Sequence, residues 1–86
     1  MPYRVEIEKR AAKTLESIDD PDYSRLKAAI LNWGKNPRPH GYRKLKGREA
    51  YRITVGNYRI IYEIKDNKLY VIVLLVGHRK DIYRKI

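Results

Sequence analysis

The second half of the chain constrains the fold most, because three apolar runs, Tyr51–Val55, Tyr58–Lys65 and Lys68–Val76, are separated only by the dipeptides Gly56-Asn57 and Asp66-Asn67. Runs this closely spaced, rich in Tyr, Ile and Val and punctuated by turn-forming pairs, read as successive antiparallel hairpins. With two-residue turns, position 55 faces 58 and 65 faces 68, and the other neighbours follow by counting. Arg52 then faces Ile61, Thr54 faces Arg59, Ile61 faces Ile72 and Arg59 faces Leu74. One side, from Tyr51, Ile53 and Val55 through Tyr58, Ile60, Tyr62 and Ile64 to Leu69, Val71, Val73 and Leu75, is the expected core. The other presents Arg52, Thr54 and Arg59 over a floor of Ile61, Ile72 and Leu74.

The first half supplies a cover for that core. Tyr3, Val5 and Ile7 alternate with Arg4, Glu6 and Glu8, which predicts a strand over 3–8. Ala11, Ala12, Leu15 and Ile18 recur at helical spacing and predict a short amphipathic helix from Lys9 to Ile18. Asp20-Pro21 reads as the start of a second helix, with the aspartate capping and proline at the first helical position. Tyr23, Leu26, Ile30 and Trp33 carry its apolar stripe to Gly34 or Asn36-Pro37. Asp19, Asp20 and Asp22 suit a helix N-terminus electrostatically, and no His or Cys beside them argues for a metal site. The order is β-αα-βββ, an α+β class with an antiparallel sheet packed on an αα-hairpin, in a single domain spanning 1–86.

Charge narrows the function. Twenty Lys and Arg against ten Asp and Glu leave a formal charge of +10, beyond the ~2–8 that solubility alone asks of a small domain. An anionic partner is expected: nucleic acid first, then a membrane surface, then an acidic protein, with a merely solvated basic surface as the bland alternative. The absence of cysteine excludes disulfides, thiolate metal sites and thiol catalysis, and fits the cytoplasm. No apolar stretch suggests a signal peptide or a membrane span. Residues 34–50 form a basic loop in which Lys35, Arg38, Arg43, Lys44, Lys46 and Arg48 sit among Gly and Pro, with Tyr42 available to stack on a base. Arg52 and Arg59 side by side repel unless an anion binds between them, and phosphate is the obvious anion. The plainer reading is that each arginine lays its stem over the apolar floor. Beyond Gly77 the chain turns basic again, and Arg79 and Tyr83, four apart, would share one side of a short C-terminal helix. Tyr83 there is otherwise a packing residue that closes the core.

In this setting Lys44-Leu45-Lys46-Gly47, Tyr51-Arg52-Ile53, Gly56-Asn57-Tyr58-Arg59-Ile60-Ile61-Tyr62 and Val76-Gly77-His78-Arg79-Lys80-Asp81-Ile82-Tyr83 resemble the RelE/ParE toxin superfamily, and within it the RelE-like mRNA endonucleases. The resemblance implies a toxin of a type II toxin–antitoxin system, neutralised by a cognate antitoxin and cutting mRNA in the ribosomal A site without metal or cofactor. It implies that Arg59 holds the scissile phosphate, that Arg79 stabilises the transition state and that Tyr83 orients or stacks on the substrate. Arg52 stands where well-known members carry a catalytic lysine, and Thr54 replaces a second lysine. Arginine stays protonated and cannot serve as a base. His78 is the titrating group beside Arg79 and a candidate general base, alongside a purely electrostatic mechanism; Lys44, Lys46 and Glu49 are further candidates, and Tyr83 a candidate acid. RNA contacts are expected from Tyr42, Arg43, Lys44, Lys46, Arg48 and Thr54, with ribosome and rRNA as surroundings. A ParE-like inhibitor of DNA gyrase, or an RNA-binding domain without catalysis, are the alternatives.

Overall fold

The computed structural model describes residues 2–47, 49–78 and 80. Along the chain run β1 (Arg4–Ile7), α1 (Lys9–Glu16), α2 (Asp22–Asn32), β2 (Arg43–Lys44), β3 (Tyr51–Val55), β4 (Tyr58–Lys65) and β5 (Tyr70–His78). The strands form one sheet in the order β1-β5-β4-β3-β2. The meander β3-β4-β5 is antiparallel as expected, but the sheet is mixed, because β1 lies parallel to β5 at its edge. That pairing follows from the αα-hairpin between β1 and the meander, which crosses one face of the sheet and returns the chain on the far side. The short strand β2 extends the other edge by pairing with β3. The expected C-terminal helix lies outside the described residues.

One face of the sheet packs on the helices. Ala11 and Leu15 of α1 and Leu26 and Ile30 of α2 bury against Ile60, Tyr62, Val71, Val73 and Val76. Trp33, at the end of α2, stacks on Tyr62 with ring centroids 4.2 Å apart, and the Tyr62 hydroxyl donates to the Pro37 carbonyl at 2.9 Å. A buried tyrosine needs such a partner for its polar tip. Burial raises the Tyr62 hydroxyl pKa, so it remains a neutral donor. At the start of α2, Asp20 caps by accepting from the Ser24 amide at 3.1 Å and from the Ser24 hydroxyl. Pro21 occupies the cap position, and the helix opens one residue later than the sequence suggested. Gly34 lies where β1 meets the end of α2: its carbonyl accepts from the Tyr3 amide, and a Cβ there would meet the Tyr3 and Leu31 carbonyl oxygens at 3.2 and 3.3 Å.

The register departs from expectation in two places. The β3–β4 turn is the two-residue hairpin anticipated, with Val55 opposite Tyr58 and Gly56 at φ 61, as a glycine-first tight turn requires. The β4–β5 turn is not: Lys65 faces Tyr70 rather than Lys68, a 3₁₀ turn covers Asp66–Lys68, and Leu69 sits at φ 50 instead of in the core face. The longer turn is held by outside partners. Asp66 takes a bidentate pair from Arg38, at 3.0 and 2.7 Å, and the Tyr3 hydroxyl at 2.6 Å, while the Leu69 carbonyl accepts from the Arg4 amide of β1. The second departure is a β-bulge at Leu74. Ile61 pairs with Leu75 but Tyr62 with Val73, so Leu74 is the extra residue and the strand changes phase there. Leu75 accordingly leaves the core face expected for it and joins Ala50, Ile61, Leu45 and Leu74 in a second cluster on the open face.

The Arg38 guanidinium and the Tyr3 hydroxyl hold the Asp66 carboxyl down at about 2, against 3.8 ordinarily. A depressed carboxylate contributes stability above its unfolded pKa and loses that contribution as pH falls through the folded value. Asp66→Asn should therefore lower the denaturant midpoint at pH 6, and its deficit relative to the parent should narrow between pH 4 and pH 2. Parallel midpoint curves over that window would show that the carboxylate charge does not hold this turn.

Candidate RNA-binding face

Strand pairing assembles the site on the side of the sheet away from the helices. Residues directly opposite each other share a face. Arg43 pairs with Arg52 and Arg52 with Ile61, while Thr54 pairs with Arg59. On the far side of β4, Arg59 faces Gly77 in place of the expected Leu74, because the longer β4–β5 turn moves its partner on by two positions and the bulge by one more. Three guanidinium groups from β2, β3 and β4 thus share one face with Thr54, over the floor of Ile61, Leu74 and Leu75. Ile72 shares this face further along β5, opposite Glu63.

Arg52 and Arg59 are half-buried, whereas Arg43 and Thr54 are exposed. The Nε and Nη1 atoms of Arg59 are withdrawn from solvent. A guanidinium with its stem on an apolar floor is held in a narrow range of positions, and its planar fork suits two oxygens of one phosphate. Gly77 is buried opposite Arg59. It is the site residue that charge counting overlooks, although a glycine inside an apolar strand is itself a sign that something must approach the backbone. Direct pairing of Arg43 with Arg52 puts like charges on adjacent strands, which concentrates positive potential at this edge of the face.

The other sequence candidates fall elsewhere. Lys44 pairs with Tyr51, a residue of the helix-side core, and its Nζ lies 3.3 Å from Glu49; both are exposed, and such a surface pair contributes little. Lys46 is exposed in the turn that follows. Tyr42 is half-buried with its ring 5.7 Å from Tyr51, so it closes the helix-side edge of the sheet. His78 pairs with Tyr58, a neighbour of the helix-side core, and thus points away from Arg59. Arg38, read as part of the basic loop, is engaged by Asp66 and lies over the Tyr51 ring at 5.8 Å. Arg48, Arg79 and Tyr83 lie outside the described residues.

A mixed sheet with two helices on one face is shared with solved toxin structures. The chain superposes on a chain of the Mycobacterium tuberculosis RelBE2 toxin–antitoxin complex with a TM-score of 0.81, at 22% identity over 92% of this chain and all of that one. On an E. coli RelE variant in the free state the TM-score is 0.78, at 27% identity, covering 98% of this chain and 93% of the other. The family model for the ParE toxin of type II toxin–antitoxin systems matches residues 5–83, and the chain belongs to that family. Among individual relatives, it is 32% identical to toxin RelG of M. tuberculosis over 99% of its own length and 100% of the relative's. It is 28% identical to a putative toxin RelE1 of Methanocaldococcus jannaschii over 98% of each. The protein is a RelE/ParE-type toxin.

Electrostatic contact with single-stranded RNA releases counterions, with a log–log salt slope of about −0.7 per phosphate neutralised. Joint replacement of Arg43 and Arg52 by alanine should make that slope shallower by about 0.7 for each phosphate no longer neutralised, in a filter-binding titration with an unstructured RNA. Replacing Lys13 and Lys27, exposed on the two helices, should leave it unchanged. Equal effects from both pairs would mean that binding follows net charge rather than this face.

Proposed function

We propose that this toxin is a ribosome-dependent mRNA endonuclease. The observation that carries the reading is the convergence of Arg43, Arg52 and Arg59 with Thr54 on the helix-free face, in a chain whose relatives include RelE toxins. RNA carries its own nucleophile: the ribose 2′-hydroxyl attacks the adjacent phosphorus, the 5′-oxygen leaves, and the products are a 2′,3′-cyclic phosphate and a 5′-hydroxyl. The protein's part is to hold the attack in line, to neutralise the charge that builds on the phosphorane oxygens, and to assist proton transfer. Arg59 meets the scissile phosphate. Arg52 takes the neighbouring oxygen, and Arg43 extends the track to the next phosphate. Each charge-assisted bond is worth about 1.5–3 kcal/mol. On the family pattern, Arg79 completes the charge stabilisation and Tyr83 orients the base.

For proton transfer the sequence left a general base and a purely electrostatic mechanism open, and the second is adopted. Arginine is not a base at neutral pH, and His78 lies on the face opposite Arg52 and Arg59, so the reading rests on electrostatic stabilisation and positioning. The ribosomal A site supplies the confined mRNA, and the cytoplasm is where toxin and ribosome meet. The solved neighbours include complexes of RelE with RelB antitoxins. A cognate antitoxin with an acidic segment is the corresponding partner here, covering the cationic face.

Expression of the chain under tight control, with 5′-end mapping of cellular mRNA, tests the reading. Codon-phased cuts in translated RNA are expected, and Arg59→Ala should abolish both cuts and growth arrest while retaining the parent's thermal transition. DNA damage with intact mRNA would instead identify a gyrase inhibitor, and no growth arrest a binding domain without catalysis.

A further inference from the structure

On the helix side, a cavity of about 460 Å³ opens between the α1–α2 turn and the ends of β4 and β5; Asp19, Asp20, Asp22, Tyr58 and His78 are among its lining residues. The His78 ring meets Tyr58 edge to face, with centroids 5.8 Å apart at 74°. Its Nδ1 accepts a hydrogen bond from the Lys80 backbone amide at 3.3 Å. A ring nitrogen that accepts holds no proton, so the bond selects the neutral ring protonated at Nε2. Asparagine and aspartate side chains make the same kind of bond, to the backbone two residues on. In sequence, the one residue between the two ends of this bond is Arg79.

We propose that neutral His78 is a positioning residue that pins the chain where it leaves β5, fixing the backbone on either side of Arg79 from the face opposite the RNA. This role rests on the nuclease reading, and it replaces the general-base role for the same side chain. Two contacts do the pinning: the Tyr58 ring sets the imidazole plane, and Nδ1 holds the Lys80 amide.

Two variants separate the contacts. His78→Phe keeps a ring against Tyr58 and removes the acceptor; His78→Asn puts an acceptor oxygen near the Nδ1 position and removes the ring. Cleavage of ribosome-bound mRNA is followed in single turnover at neutral pH, together with hydrogen exchange of the Lys80 amide in the free toxin. Misplacement of a reacting partner by about 1 Å costs on the order of a hundredfold, so His78→Phe should cut the rate at least about tenfold with RNA affinity unchanged, and should speed Lys80 exchange. His78→Asn, which keeps an acceptor two residues before the amide, should cleave at the parent's rate and leave Lys80 exchange slow. Unchanged cleavage by His78→Phe, or an equal loss of cleavage in His78→Phe and His78→Asn, overturns the role. If His78→Phe does not fold, His78→Asn decides: full cleavage with slow Lys80 exchange supports the role, and full cleavage with fast exchange overturns it. Absence of cleavage by the parent toxin overturns the nuclease reading itself and the positioning role with it, whereas cleavage by the parent with an indifferent His78 overturns the positioning role alone.

Discussion

One surplus residue in β5 determines which side chains meet. Alternation along a strand is strict, so a single inserted position moves everything beyond it to the opposite face. Before Leu74, Val71 and Val73 point into the helix-side core; after it, Val76 does so, and Leu75 turns outward to pack with Ile61 and Ala50. Two results follow at the far end of the strand. Gly77 comes opposite Arg59 on the open face, and His78 comes opposite Tyr58 among the helices. In an unbulged strand with the same turn, the Val76 side chain would share that row with Arg59, and the guanidinium would meet a wall.

The cationic face also depends on the edges of the sheet being held still. Residues 34–42 have no strand or helix of their own, yet Arg38 clamps Asp66 in the β4–β5 turn, Pro37 receives the Tyr62 hydroxyl, and Tyr42 rests on Tyr51. Tyr3 joins from the opposite end of the chain by donating to the same Asp66 carboxylate. The loop is thereby fastened to β1, β4 and the β4–β5 turn, and it delivers β2 with Arg43 against Arg52. A carboxylate that accepts from arginine and tyrosine together makes an effective clasp, since it satisfies two polar groups that would otherwise turn to water. The protein thus uses one arginine to build the edge and leaves others to line the face.

Legibility from sequence followed the range of the interactions. The β3–β4 hairpin, its register and the pairing of Thr54 with Arg59 were readable because they depend on adjacent residues and a glycine-containing turn. The β4–β5 turn was not, because Asp66 is drawn by Tyr3 and Arg38, residues 63 and 28 positions away. The bulge was equally hidden: Leu74 and Leu75 are apolar on either face, so hydrophobic patterning has no preference between the two phases. Nothing local announced that β1 would pair in parallel with β5. Of the candidate site, Arg52, Arg59, Thr54 and Arg43 share the open face, while Lys44, Tyr42 and His78 do not, because the parity of β2 and of the far end of β5 turns them toward the helix side.

The cationic face serves this toxin only if RNA lies across β3 and β4 on the helix-free side. Titration of the labelled toxin with a short single-stranded RNA, followed through the arginine Nε–H and backbone amide resonances, tests this most directly. The largest shifts are expected at Arg43, Arg52, Thr54, Arg59 and Gly77, with Asp20, Leu26 and Leu31 still. Shifts centred on the helices, with the Arg52 and Arg59 signals unmoved, would contradict it.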